Sequence, residues 1–361
     1  MERFVAQIRA SALAELGEAD AALANFPVGA MSPEVPTDLP DADAHPTDAI
    51  EAVVSLARDR RVVIINEAHH VPQTRALIVA LLPRLRAIGF TDYAAETLAP
   101  DVGKAITTRG YALRADGVYS REPVFGQLLR DVAAMGYRID SYETSGGRDE
   151  TIQQRETGQA ENLARLLREQ TDARFVIHVG YNHVREAQTS ERIPMAAELK
   201  RLTGIDPLSV DQTFFMPSRP VARRSPEYAA LLTRLPADQS AAVIFQRTGA
   251  APWSYEPGQY DISVVLPDPP ASHGRPGWLW QQALQRHPVP ADPILCAGRF
   301  PCAIGARWRD APDDAVAADM VLLRQATDRL SLALPSGDFK LVATDDSDRV
   351  LGEREIHQDA P

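Results

Sequence analysis

Residues 62–89 read VVIINEAHHVPQTRALIVALLPRLRAIG. The opening VVIIN is an apolar run of strand length, and the segment from Pro72 to Ile88 repeats apolar residues at helical spacing before Gly89 stops it. A strand that turns straight into a helix starts a β-α unit. Between the two lie Asn66, Glu67, His69 and His70.

The same alternation continues outward. AIEAVVSLARD reads as helix before this strand. After it come TDYAAE as strand, PVFGQLLRDVAAMG as helix, YRIDSYE as strand, TIQQRETGQAENLARLLREQ as helix, ARFVIHVG as strand, IPMAAELKRLTG as helix and PLSVDQT as strand. Parallel strands need crossover connections, so this order predicts an α/β fold: a mainly parallel central sheet with helices on both faces. Strand signals recur at AAVIFQRT and YDISVVLP, where the sheet either continues or is capped. The tail after Val321 reads as a small antiparallel C-terminal β region with turns at 335–338 and 345–348. The division that follows is an N-terminal helix over 1–25, a Pro-rich linker over 26–47, an α/β domain over 48–290 and a β-rich accessory region over 291–361.

Composition narrows the function classes. The 361 residues carry a net charge of −11 with 45% hydrophobic content, and no stretch gathers Lys or Arg into a block. That argues against a nucleic-acid backbone as partner and favours a small molecule or peptide. No run is apolar enough for a membrane span or a signal peptide, which as given points to the cytoplasm. The two cysteines, Cys296 and Cys302, either close a small disulfide loop, favouring a periplasmic or secreted setting, or remain reduced and half-buried.

Ligands of open parallel sheets bind beyond the carboxyl ends of the strands. Those ends carry Asn66, Glu67, His69 and His70; Glu96; Tyr142 and Glu143; and Gly180, Asn182 and His183. Either glutamate could simply cap the helix after it, and His178 inside FVIHVG reads as a structural residue. His70, next to His69, must point elsewhere. No G-x-S-x-G elbow, H-E-x-x-H helix or phosphate loop occurs, so water activated by histidine and carboxylate, or by a metal between them, is the natural attacking group. Trp253, Trp278 and Trp280 read as core aromatics rather than pocket walls. Asp268, His273 and Arg275 lie in a Pro-rich loop that could reach the crevice as a lid.

The ordered set NEAHHxPxxR, GFxDYAAET, GYRIDSYE, RExxxAENL and HVGYNHV, over roughly residues 60–190, resembles the erythromycin esterase-like, ChaN-like and Tiki superfamily. Its two G-x-x-H motifs correspond to Asn66-Glu67-Ala68-His69, with asparagine in place of glycine, and Gly180-Tyr181-Asn182-His183. The resemblance implies His69 and His183 as paired histidines and Glu67 and Glu96 as paired acids, with Arg75, Glu143, Arg155, Glu156 and Asn182 in support. Asparagine tolerates left-handed backbone, so Asn66 is expected to keep a glycine-type turn while placing a side chain on the crevice floor.

Two functions follow from the resemblance. The first is hydrolysis of an ester, lactone or amide, with His69 as base and Glu67, His69, Glu96 and His183 holding a divalent Mn, Zn, Fe or Co ion if one is bound. The alternative is a non-catalytic protein that uses the same histidines for haem or another metal-containing ligand. A scaffold with a decayed site is the third reading, disfavoured because the acid and histidine set is complete.

Overall fold

The computed structural model describes residues 2–27, 38–147, 149–236 and 239–359. Its centre is β2 (Val62–Glu67) beside β5 (Phe175–Gly180), two strands whose residues are all buried. Around them runs an eight-stranded sheet, in which β1 (His45–Asp48), β3 (Asp92–Ala95), β4 (Arg138–Ser141), β6 (Leu208–Phe215), β7 (Val243–Gln246) and β8 (Ile262–Val265) complete the order β1-β7-β8-β6-β2-β5-β3-β4. From β8 to β4 neighbouring strands are parallel; β7 and β1 close one edge antiparallel. AAVIFQRT and YDISVVLP therefore continue the sheet.

Strand alternation divides the core in two. Val63, Ile65, Tyr93 and Val176 face the layer formed by α3 (Ala49–Ala57), α4 (Gln73–Ala87) and α6 (Pro123–Ala134). Val62, Ile64, Ala94, Phe175 and Ile177 face α7 (Ile152–Glu169), α8 (Met195–Thr203) and α9 (Pro226–Leu232). The period of two thus fixes which helix layer each strand-end residue meets. Helix starts follow local chemistry: Asp48 caps α3 through the Glu51 N–H, and Thr151 and Gln154 form a capping box on α7. The short α5 (Val102–Arg109) and α9 are additions to the expected pattern.

The N-terminal helix is broken in two, α1 (Glu2–Glu15) and α2 (Ala19–Asn25), at Gly17, whose φ is +75°. The expected linker over 26–47 needs correction at its end. His45–Asp48 is strand β1, paired with β7; an edge position tolerates Pro46, which lacks an N–H. Residues 28–37 of that linker lie outside the described residues.

The C-terminal region holds β10 (Cys302–Trp308), β11 (Asp319–Leu323), β13 (Gly337–Thr344) and β14 (Val350–Gln358) in one antiparallel sheet. A separate pair joins β9 (His287–Pro290) to β12 (Ser331–Leu334), so this β region begins at 287, ahead of the expected boundary at 291. The turn at 335–338 connects strands of different sheets, whereas the one at 345–348 makes the β13–β14 hairpin. Cys296 and Cys302 form a disulfide within this region's core. No helix among the described residues is long and apolar enough to cross a membrane.

Candidate active site

Glu67 ends β2 on the face of α4, and α4 supplies its partner. Arg75, completely buried, donates from Nε to Glu67 Oε2 at 2.5 Å and from Nη2 to Oε1 at 3.0 Å, and its Nη1 reaches Glu122 Oε2 at 3.0 Å. A forked guanidinium fits a carboxylate at two points, which fixes the plane of the acid. Glu67 Oε1 also lies 2.7 Å from His69 Nδ1. His178 comes from β5 on the same face and places Nε2 3.2 Å from Glu67 Oε2 without hydrogen-bond alignment; its Nδ1 is 2.6 Å from the Tyr93 hydroxyl. Burial alone would raise the Glu67 carboxyl, but Arg75, then His178 and His69, hold it well below the usual carboxylate range.

Glu96, one residue past β3, leans to the opposite face and meets α7. Arg155 Nη2 donates to its Oε1 at 2.5 Å, and the Gly180 N–H donates to Oε2. Arg155 also grips Glu143, from Nε at 3.0 Å and Nη2 at 2.6 Å. His183, in a 3-10 turn after β5, sets Nδ1 2.8 Å from Glu156 Oε2 and Nε2 3.5 Å from Glu96 Oε1. Glu156 is in turn held by the Met195 N–H at 2.6 Å and lies 2.8 Å from Arg192. Burial favours neutral His183, but Glu96 and Glu156 outweigh it and raise its pKa. For Glu96, burial pushes upward while His183, Arg155 and His69 bring the carboxyl down to about 2.

The two halves meet at Gly180. A β-carbon there would sit 2.5 Å from His69 Cε1, 2.7 Å from His69 Nε2 and 2.8 Å from Glu96 Oε2. Gly180 has extended backbone, so it is required for space and not for conformation. His69 is flanked by Tyr119, stacked at 3.5 Å and 8°, and by the edge of Tyr181 at 4.8 Å.

The structure therefore brings together Glu67, His69, Arg75, Glu96, Glu143, Arg155, Glu156 and His183. Asn182 stays apart, using its carbonyl to accept from the Arg185 N–H. His70 points away as expected, stacked on Phe26 at 3.7 Å with Nδ1 3.1 Å from the Tyr181 hydroxyl; burial, His69 and Arg75 lower it to about 3.

Asn66 corrects the sequence reading. It lies inside β2 with strand backbone, and its side chain turns away from the crevice toward β6. Nδ2 donates to Asp211 Oδ1 at 2.6 Å, to the Tyr181 carbonyl at 2.9 Å and to Thr213 Oγ1 at 3.1 Å, while Oδ1 accepts from the Gln212 N–H at 2.9 Å. The side chain stitches β2 to β6 and to the turn carrying His183.

Arg275 is no lid residue either. It is buried in a bidentate pair with Asp319 that fastens the loop to the C-terminal sheet, and Asp268 is bound by Arg219 and Arg224. Trp253 and Trp278 do pack in cores, and each also borders a cavity.

Tyr119 and Glu122 have no strand-end signal and escaped the sequence reading. For Glu122 a trace exists, the acid directly before Pro123 at a helix start, and Glu122 does cap α6 through the Val124 and Phe125 N–H groups. His178 read as purely structural, although counting alternate residues along β5 would have placed it on the Glu67 face.

The donor set does not fit a divalent ion. Among the described residues no three of His, Cys, Asp or Glu stand together to hold one. Both oxygens of Glu67 and of Glu96 are already taken, largely by guanidinium groups that supply the positive charge.

Neither family models nor curated proteins match the chain. Solved structures give slight likenesses. RRSP, a MARTX toxin effector domain from Vibrio vulnificus CMCP6, matches with TM-score 0.34 and 17% identity over 50% of this chain and 40% of that one. The C-terminal region of Pasteurella multocida toxin, described with a thiol-protease-like catalytic triad, matches with TM-score 0.32 and 13% identity over 44% and 24%. The type III effector HopBA1 gives TM-score 0.28 and 16% identity over 42% and 81%. The match thus spans less than half the length of RRSP, and likeness at these scores does not bear on activity.

Proposed function

We propose that this chain is a hydrolase of the erythromycin esterase-like, ChaN-like and Tiki type, acting on an ester, lactone or amide with His69 as general base for water. One observation carries the reading. Glu67, immobilised by Arg75, takes the Nδ1 side of His69 and so directs the Nε2 lone pair to the point above Gly180 where Glu96 also arrives.

In this scheme His69 Nε2 accepts a proton as the water oxygen bonds to the carbonyl carbon, and the carbonyl π pair moves onto oxygen. Protonated His183 and Arg155 stabilise that charge. The tetrahedral intermediate collapses as the bond to the leaving group breaks, and His69 returns its proton to the departing oxygen or nitrogen. Arg75 and Glu122 touch no reacting atom; they position Glu67. The Cys296–Cys302 disulfide supports an oxidising compartment.

The test is a panel of esters, lactones and peptides, each with and without EDTA, for wild type, His69→Ala and His183→Ala. Loss of the base lowers turnover by roughly 10²–10⁴-fold, and EDTA changes nothing. Equal turnover by His69→Ala on every substrate, or a Soret band that disappears in the histidine variants, overturns the reading.

A further inference from the structure

Four tyrosines lie near the two acids Glu67 and Glu96, and three commit their hydroxyls inside the protein. Tyr93 meets His178 Nδ1 at 2.6 Å, Tyr142 donates to the His178 carbonyl at 2.8 Å, and Tyr181 meets His70 Nδ1 at 3.1 Å. The fourth, Tyr119, is half-buried, and its hydroxyl bonds to none of the described residues. That hydroxyl is not among the buried atoms left without a partner, so the phenol keeps solvent contact and stays free to donate to a ligand beside His69.

Its placement is fixed from two sides. The ring lies parallel to the His69 imidazole at 3.5 Å. The backbone is held by Thr97, directly after Glu96, whose Oγ1 accepts from the Val118 N–H at 3.0 Å and the Tyr119 N–H at 2.8 Å. Thr97 adopts φ +62°, a costly conformation for a β-branched residue that aims its side chain at this loop. Gly117 lets the loop press down: a β-carbon there would lie 2.5 Å from the Thr97 carbonyl oxygen. The residue that follows one catalytic acid thus locks a tyrosine against the catalytic base.

We propose that the Tyr119 hydroxyl is a catalytic hydrogen-bond donor to the oxygen of the scissile carbonyl, sharing with His183 the negative charge that develops there. The assignment rests on the hydrolase reading and adds to it a neutral donor from outside the strand ends. Burial, with the charge of Glu96 next, pushes the phenol up to about 12, so it keeps its proton across the working range.

Tyr119→Phe separates this role from a structural one, because the ring and its stack on His69 remain while the donor is lost. Two probes are used with the full chain: 4-nitrophenyl acetate for turnover, and phenylphosphonate, a tetrahedral oxyanion, for binding by calorimetry. The expected result for Tyr119→Phe is kcat lower by about 10²–10³-fold, with KM and thermal midpoint kept, the shape of the pH–rate profile unchanged, and phenylphosphonate binding weakened about tenfold. Wild-type kcat in Tyr119→Phe, while His69→Ala is inactive, overturns the Tyr119 role alone. Should His69→Ala match wild type, the base assignment fails, and phosphonate binding decides on Tyr119. Unchanged phosphonate affinity in Tyr119→Phe, or a wild type that neither binds it nor cleaves the ester, overturns the proposal.

Discussion

Gly180→Ala is the sharpest perturbation of this site, because one methyl group enters the space where its two halves converge. The three nearest atoms, His69 Cε1, His69 Nε2 and Glu96 Oε2, stand 2.5, 2.7 and 2.8 Å from the added carbon. To reach ordinary van der Waals separation they must withdraw by about 0.6–0.9 Å. Neither is free to do so cheaply: the imidazole is pinned by Tyr119 and Glu67, and the carboxylate by Arg155 and the Gly180 N–H. Misplacement of a catalytic group by about 1 Å costs on the order of 10²-fold in rate, and overpacking a filled site destabilises by about 1–3 kcal/mol. The expected outcome is kcat reduced about a hundredfold in a protein that still folds cooperatively, read by steady-state kinetics with thermal unfolding alongside. Gly305→Ala is the control, since its nearest neighbour, the Met320 methyl, is 3.5 Å away. Full activity in Gly180→Ala would refute the claim that His69 Nε2 and Glu96 act at one point.

Three further outcomes are expected. Asn66→Gly strips hydrogen bonds from buried Asp211 and from the Gln212 N–H; chemical denaturation should show a loss on the order of 3 kcal/mol, and equal stability would show the stitch to be dispensable. Glu96 titrates at about 2 against an ordinary 4.5, so its ionised form stabilises the fold by about 3 kcal/mol above pH 4.5. That contribution fades as pH falls from 4.5 through about 2, and urea denaturation at pH 5 and pH 3 should show a drop that Glu96→Gln flattens. Glu156→Gln removes one of the two carboxylates that raise His183; the imidazole should then titrate at lower pH by NMR, and an unmoved titration would leave Glu96 as its sole support.

Much of this arrangement was legible because β2 and β5 are uninterrupted apolar runs, and a buried parallel strand advertises itself and its polar end. Glu67, His69 and His183 follow those two runs, and Glu96 follows the shorter strand signal TDYAAE. The order β2-β5-β3-β4 was not, since pairing register depends on contacts between residues more than a hundred positions apart, such as Ile64 with Ile177. Strand β1 stayed hidden because an antiparallel edge strand needs few apolar residues and accepts Pro46. Tyr119 was invisible for a related reason: it opens a single 3-10 turn, Tyr119–Arg121, between α5 and α6, placed by Thr97 and not by any periodicity. At Asn66 the motif position suggests a turn, whereas the strand runs through it to Glu67.

The parity of the strands explains why the site needs two arginines. Glu67 continues the odd-numbered face of β2, with Val63 and Ile65, and so points into the layer of α4, where Arg75 waits. Glu96 continues the even-numbered face of β3, with Ala94, and points into the layer of α7, where Arg155 waits. Each acid is therefore neutralised from its own side of the sheet, and the space between them above β5 is left for the two imidazoles. A single cation at the centre could not grip both carboxylates without occupying that space. Splitting the countercharge between the helix layers keeps the acids ionised and fixed while leaving Gly180 bare beneath His69 Nε2. The backbone pleat, more than any one residue, thus decides which helix layer grips each acid.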